Sequence, residues 1–178
     1  MIIVKEVVIL PPFLFEVIMK ESYKRVGFTC GAMDLLHAGH VLMLKEAKSR
    51  CDWLIVGLHT DPTIDRPSKN KPIQSLEERR IQLEGCKYVD EIITYDTEAG
   101  LVNLLSELNS KHSKFFIRII GADYIDKDYT GMELGINTIF NSRDHEYSST
   151  ELRKRIQLAE NRKQAEELGL HTLFKEVF

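Results

Sequence analysis

Several things are scarce in this chain of 178 residues, and each scarcity narrows the possibilities. Cysteine is limited to Cys30, Cys51 and Cys86, an odd number with neither a CxxC pair nor Cys/His ligand spacing. That pattern fits reduced, mostly buried thiols of a cytoplasmic protein, with Cys30 the one expected to line a cavity. Positive charge is not in excess: the formal net charge is −3, so any anion site must come from local clustering of Lys and Arg, and nothing points to a nucleic-acid partner. No long apolar run is unbroken. The first 19 residues lack a basic leader and are interrupted by Lys5-Glu6, Pro11-Pro12 and Glu16, so they match neither a signal peptide nor a membrane span of roughly 20 residues. No GxGxxG follows the first core strand, which excludes a dinucleotide-binding oxidoreductase. Internal repeats and low-complexity tracts are also missing.

What remains is an ordinary globular composition, 43% hydrophobic and 29% charged, long enough for one core with a small appendage. From Lys24 the pattern alternates strand and helix, which predicts an α/β, Rossmann-like, doubly wound parallel sheet of about five strands with helices on both faces. The expected strands are Arg25–Thr29, Asp52–Thr60, Val89–Tyr95, Phe115–Gly121 and Ile136–Asn141. Trp53-Leu54-Ile55-Val56-Gly57-Leu58 reads as a central strand buried on both faces. Expected helices are Gly39–Arg50, one from a Ser75/Glu78 capping box to about Lys87, Glu98–Asn109, Ser148–Leu158 and a short Lys163–Leu168. Asp61 to Gln74 holds three prolines with Arg66, Lys69 and Lys71, and reads as a long, mobile, basic loop. The chain thus divides into an N-terminal extension (1–23, a strand and short helix), a main domain (24–160) and a helical tail (161–178). Met19 is a candidate natural start.

The stretch from Gly27 to His40 is a strand, a turn and a helix opening with His37 and His40. Three residues apart, the two imidazoles share a face at a helix N-terminus, where backbone N–H groups and the dipole favour anions. Two histidines there can donate to phosphate oxygens and stabilise charge developing in phosphoryl exchange. The competing readings are a metal-binding HxxH, for which no third ligand is evident, and two structural histidines.

Gly31-Ala32-Met33-Asp34-Leu35-Leu36-His37-Ala38-Gly39-His40 resembles the HxGH signature of the nucleotidyltransferase superfamily, most closely glycerol-3-phosphate cytidylyltransferases and the adenylyl-transferring domain of heptose-phosphate enzymes. The likeness runs from about Lys24 to Ile156. It includes Asp61, the lysine loop, Glu78-Arg79, Tyr88-Val89-Asp90-Glu91, Gly121-Ala122-Asp123-Tyr124 and Arg143 to Thr150, the last resembling the family's Ile-Ser-Ser-Thr region. The resemblance implies CTP or ATP, Mg²⁺, release of pyrophosphate, a small phosphorylated acceptor and a homodimer. His37, His40, Lys69 and Lys71 take the catalytic positions. Thr29, Cys30, Gly31, Ala32, Asp34, Gly39, Gly121, Asp123, Arg143, Ser148, Ser149 and Thr150 surround the nucleotide, and Arg79 and Lys87 hold the acceptor phosphate. Asp34 either orders the turn or contributes to the metal. The structural alternatives are a plain helix cap for the Ser/Thr cluster and solvated charges for the lysines and Arg79. Ala32 stands where the cytidylyltransferases commonly have Thr, and Lys87 where they have Arg. Asp144-His145-Glu146-Tyr147 replaces Thr-Glu-Gly-Ile, and Gly121-Ala122-Asp123-Tyr124 is closer to the adenylyl enzymes' Gly-Gly-Asp-Tyr, so the base stays open between cytosine and adenine. A nucleotide-binding module without catalysis is the alternative from another class.

Overall fold

The computed structural model describes residues 25–169; the expectations for the N-terminal extension and for the last nine residues lie outside them. Five parallel strands form one sheet in the order β3-β2-β1-β4-β5, where β1 is Val26–Gly31, β2 Trp53–His59, β3 Glu91–Tyr95, β4 Phe116–Gly121 and β5 Thr138–Asn141. The order reverses between β1 and β4, the position where parallel sheets open a crevice beyond the carboxyl ends of their strands. Period-two alternation sends β2's Leu54, Val56 and Leu58 to one face and Ile55 to the other. The first face packs against Leu44 and Ala47 of α1 (Ala38–Ser49) and Leu83 of α2 (Leu76–Glu84). The second carries Phe28, Phe116 and Tyr95 under Leu101, Leu105 and Leu108 of α3 (Glu98–His112). Both faces are covered, as the near-continuous apolar strands require.

Local signals account for the helix starts. Ser75 Oγ accepts from Glu78 N at 3.2 Å while Glu78 Oε2 accepts from Ser75 N at 2.7 Å, the reciprocal capping box read from the sequence. Helix α2 stops at Glu84, three residues before the expected end, because Gly85 follows. The C-terminal segment differs more. Instead of two helices, one helix α4 runs from Ser149 to Glu167, without a break between Leu158 and Lys163. The 61–74 stretch is a run of short turns rather than an open loop: Thr63 caps on Asp61 Oδ1, Arg66 N donates to Pro62 O and Lys69 N to Arg66 O. Among the described residues, no helix is long and apolar enough to cross a membrane.

Candidate functional site

At the switch point lies a cavity of about 670 Å³, floored by β1 and β4 and walled by the 61–70 turns and α4. A second cavity of about 240 Å³ opens beside it, between α1, the end of β5 and the 141–149 segment. His40, Met43, Gly121 and Ser149 line both, so they stand at the passage between the two.

The histidine pair is built as a helix cap. His37 is the N-cap of α1; its Nδ1 accepts from Gly39 N at 3.1 Å, and His40 Nδ1 accepts from His37 N at 3.4 Å. An imidazole whose Nδ1 accepts carries its proton on Nε2 when neutral, so the cap assigns both tautomers. His37 Nε2–H then donates to Ser149 Oγ at 3.1 Å, and that hydroxyl faces Asp34 O at 3.5 Å. The rings of His37 and His40 stack at 3.9 Å. Burial, with His37 adjacent, pushes the His40 pKa down to about 4 against the opposing pull of Asp34. His37 is likewise lowered, by burial and then by His145 and Arg155. Both are therefore neutral at pH 7, each with one N–H to give.

This has a stability consequence. The unfolded His40 takes up a proton below about pH 6.5, the native one only near 4, so the stabilisation is complete above 6.5 and is lost as pH falls between the two. Urea denaturation should show native stability dropping by about 3 kcal/mol from this residue between pH 6.5 and pH 4. His40→Gln should have a flatter profile than the parent; parallel curves would show that His40 titrates normally.

Gly39 is required by close approach. A Cβ there would lie 2.8 Å from Tyr147 O and 2.9 Å from His145 Cε1, so the absence of a side chain lets the 145–147 segment close over the start of α1. The preceding turn is strained: Met33 and Leu35 both have φ of 51°, in the left-handed region. Asp34 between them is 6% exposed and holds this shape in place. Its Oδ1 accepts from Ile73 N and Gln74 N at 3.0 and 2.9 Å, and its Oδ2 from Arg153 Nη2 at 2.5 Å.

Asp34 is thus the organiser of the turn and of the end of the basic stretch, its Oδ1 taken by two amides and its Oδ2 paired with Arg153. No group of three His, Cys, Asp or Glu suited to a metal ion occurs among the described residues. Mg²⁺ needs no such group, since it keeps most of its waters and takes substrate phosphates beside one or two carboxylates.

Of the other expected residues, Thr29, Cys30, Gly31, Ala32 and Lys69 line the larger cavity. Gly39, Asp123, Arg143 and Ser148 line the smaller one. Burial raises the Cys30 thiol pKa, so it sits there as a neutral wall. Ser148 caps α4 through Glu151 N, Arg143 is paired with Asp123, and Thr150 is exposed outside both cavities. Lys71 Nζ lies 3.7 Å from Asp61 and lines neither cavity.

Two expectations need correction. Arg79 is not an acceptor ligand or a solvated charge. It is 2% exposed, and its guanidinium donates to Ala32 O and His59 O through Nη1 and to Thr60 O through Nη2, at 2.7 to 2.8 Å, with Nε facing Gln74 O and Ser75 O. It clamps the ends of β1 and β2 to the start of α2. Lys87 lies over the Tyr88 ring just before β3, at the amino edge of the sheet, opposite the cavities.

Three arginines not expected at the site do line the larger cavity: Arg66, Arg118 and Arg153. Arg153 had a legible signal, being one helical turn beyond Ser149 on the same face of α4.

The family comparison agrees with this geometry. A model of the family described as cytidylyltransferase-like matches residues 28–155, which span β1 to the first turns of α4. A bifunctional protein HldE of Campylobacter concisus is 32% identical over 83% of this chain and 30% of its own length. A probable ethanolamine-phosphate cytidylyltransferase of Encephalitozoon cuniculi is 33% identical over 72% of this chain and 36% of its own. The chain therefore spans about a third of these curated relatives. Among solved structures, a lipopolysaccharide core biosynthesis protein of Thermoplasma volcanium superposes with a TM-score of 0.52 at 25% identity, over 70% of this chain and 99% of that one. Since the matched region takes in the strained turn, the histidine cap, both cavities and the Ser149 contact, the chain belongs to the cytidylyltransferase-like family.

Proposed function

We propose that this protein is a nucleotidyltransferase that moves CMP from CTP onto a small phosphorylated alcohol of the glycerol 3-phosphate kind and releases pyrophosphate. The observation that carries the reading is the His37–His40–Ser149 cluster at the passage between two cavities. The smaller cavity, lined by Asp123, Arg143 and Ser148, takes the nucleoside and the larger one the acceptor, so the reacting phosphates meet at the passage and Thr29, Cys30, Gly31 and Ala32 wall the acceptor side.

An oxygen of the acceptor's phosphate, already ionised at neutral pH, bonds to the α-phosphorus. The bond from that phosphorus to the bridging oxygen of pyrophosphate breaks, and the electron pair leaves with pyrophosphate. No general base is needed. The site's work is to align two polyanions and offset their repulsion. His40 Nε2–H and the N-terminus of α1 address the charge developing on the transferred group, and Lys69 reaches it from the 61–70 turns. Lys71 would join by leaving Asp61, a surface pair of little energy. Ser149 and the N-terminus of α4 receive the departing phosphates. Any Mg²⁺ is brought in on the triphosphate's own oxygens.

The name of the Encephalitozoon relative supports CTP. The Gly121-Ala122-Asp123-Tyr124 segment supports a second reading, ATP with a sugar phosphate. Pyrophosphate release measured with each triphosphate against phosphorylated alcohols and sugars tests both. Turnover with CTP and an alcohol phosphate is expected; turnover with ATP and none with CTP overturns the choice of base. We propose a homodimer as the working unit, and sedimentation at about 20 kDa in the micromolar range would reject it.

A further inference from the structure

Arg118 is a buried cation without a carboxylate. It stands in the middle of β4, 3% exposed, level with Phe28 of β1 and on the face that carries Phe116 beneath α3. Its Nη1 donates to Thr130 O, and its guanidinium lies 5.1 Å from the centre of the Tyr129 ring. Gly131, with φ of +80°, brings the backbone so close that a Cβ would lie 3.0 Å from Nη1. Its Nε is buried and meets no acceptor. Glu98, the neighbouring acid, is held by Arg66 at 3.0 Å and by the Thr130 hydroxyl. Among the described residues, no carboxylate pairs with Arg118, and a buried unpaired charge is costly.

The arginines with a buried, unpartnered Nε–H are Arg66, Arg118 and Arg153, and all three line the larger cavity. Arg118 lies three residues before Gly121, which faces both cavities, so its strand position is roughly 10 Å below the passage where phosphates react. That separation is the length of a small molecule. Tyr129, which lines the cavity with Tyr95 and Tyr124, is already faced by the guanidinium, and a cation beside Arg118 would meet like charge.

We infer that Arg118 recognises a second oxyanion on the acceptor, a carboxylate or a further phosphate, at the end remote from the attacking phosphate. This rests on the larger cavity being the acceptor site. Of the acceptors within the proposed class, those with an acidic far end are preferred, and those with a cationic one, such as phosphoethanolamine, bind worst.

Calorimetry on the full chain tests this with matched pairs: 3-phosphoglycerate against glycerol 3-phosphate for a carboxylate, and glucose 1,6-bisphosphate against glucose 1-phosphate for a phosphate. In at least one pair the doubly acidic member should bind about tenfold or more tightly. Arg118→Gln should erase that difference while the affinity for CTP is unchanged. Arg118→Lys, which keeps charge without the fork, should retain part of it and serves if the glutamine variant does not fold. A parent protein that prefers neither acidic member, or that binds none of the four, overturns the inference. So does a preference that survives Arg118→Gln, or a variant that loses thermal stability and every affinity alike, as a mere clamp on the 129–131 turn would. Pyrophosphate release is scored separately: the binding preference without turnover would count against nucleotidyl transfer and not against Arg118.

Discussion

Replacing His40 with alanine is expected to slow nucleotidyl transfer by about 10²-fold or more while the chain stays folded. His40 offers one N–H at the passage between the cavities, and its tautomer is set by the amide of His37. A donor aimed at charge that grows in the transition state acts on kcat rather than on ground-state binding, so KM for the nucleotide should move little. The fold loses the His37 N contact and the ring stack, a cap-sized cost of about 1 kcal/mol. The same change removes a buried imidazole that disfavours protonation, so the variant should gain relative to the parent toward pH 4.5. Steady-state kinetics beside urea denaturation at pH 7 separates the two effects. An unchanged kcat would return His40 to a purely structural role.

The second large effect is on stability. Arg79→Met should destabilise the protein by about 3 kcal/mol or more. The substitution fills the space but leaves the carbonyls of Ala32, His59 and Thr60 without their shared donor, that of His59 in a fully buried position. Arg79→Lys should recover little, because an ammonium cannot span carbonyls from three segments with a planar fork. Were Arg79 an acceptor ligand, the methionine variant would keep its unfolding midpoint and raise KM for the acceptor alone. Chemical denaturation decides between these outcomes.

Most of the architecture was legible because its causes are local. The apolar run Trp53 to Leu58, the Ser75–Glu78 box and the Gly-bearing turn before His37 each carry their own physical reason, and the structure has all of them. The likeness to the family then placed both histidines and Ser149 at one locus. What escaped depends on distant partners. Arg79 reads as a helix-face charge until three carbonyls from other segments surround it. Asp34 reads as a turn residue, but its tie to the 73–74 amides and to Arg153 depends on segments about 40 and 119 positions away and shows only in the fold. Lys87 was placed by resemblance against topology: it precedes β3, and in a parallel sheet the residues before a strand lie at the amino edge. Arg118 did leave a trace, as a cation within the apolar strand segment Phe115 to Gly121, where a charge is rare unless paired. The missing break in α4 has the plainest cause, since Glu160 to Glu167 contains neither Gly nor Pro and, Asn161 apart, is made of good helix formers.

In the proposed reaction the acceptor's own phosphate oxygen attacks the α-phosphorus at the passage between the cavities. That attack is tested most directly by ³¹P NMR of the product made from CTP and an acceptor labelled with ¹⁸O in its phosphate. A phosphoanhydride whose bridging oxygen carries the label, formed together with unlabelled pyrophosphate, is the predicted result. Free CMP from attack by water, or an unlabelled bridge from attack at the acceptor's phosphorus, would contradict it.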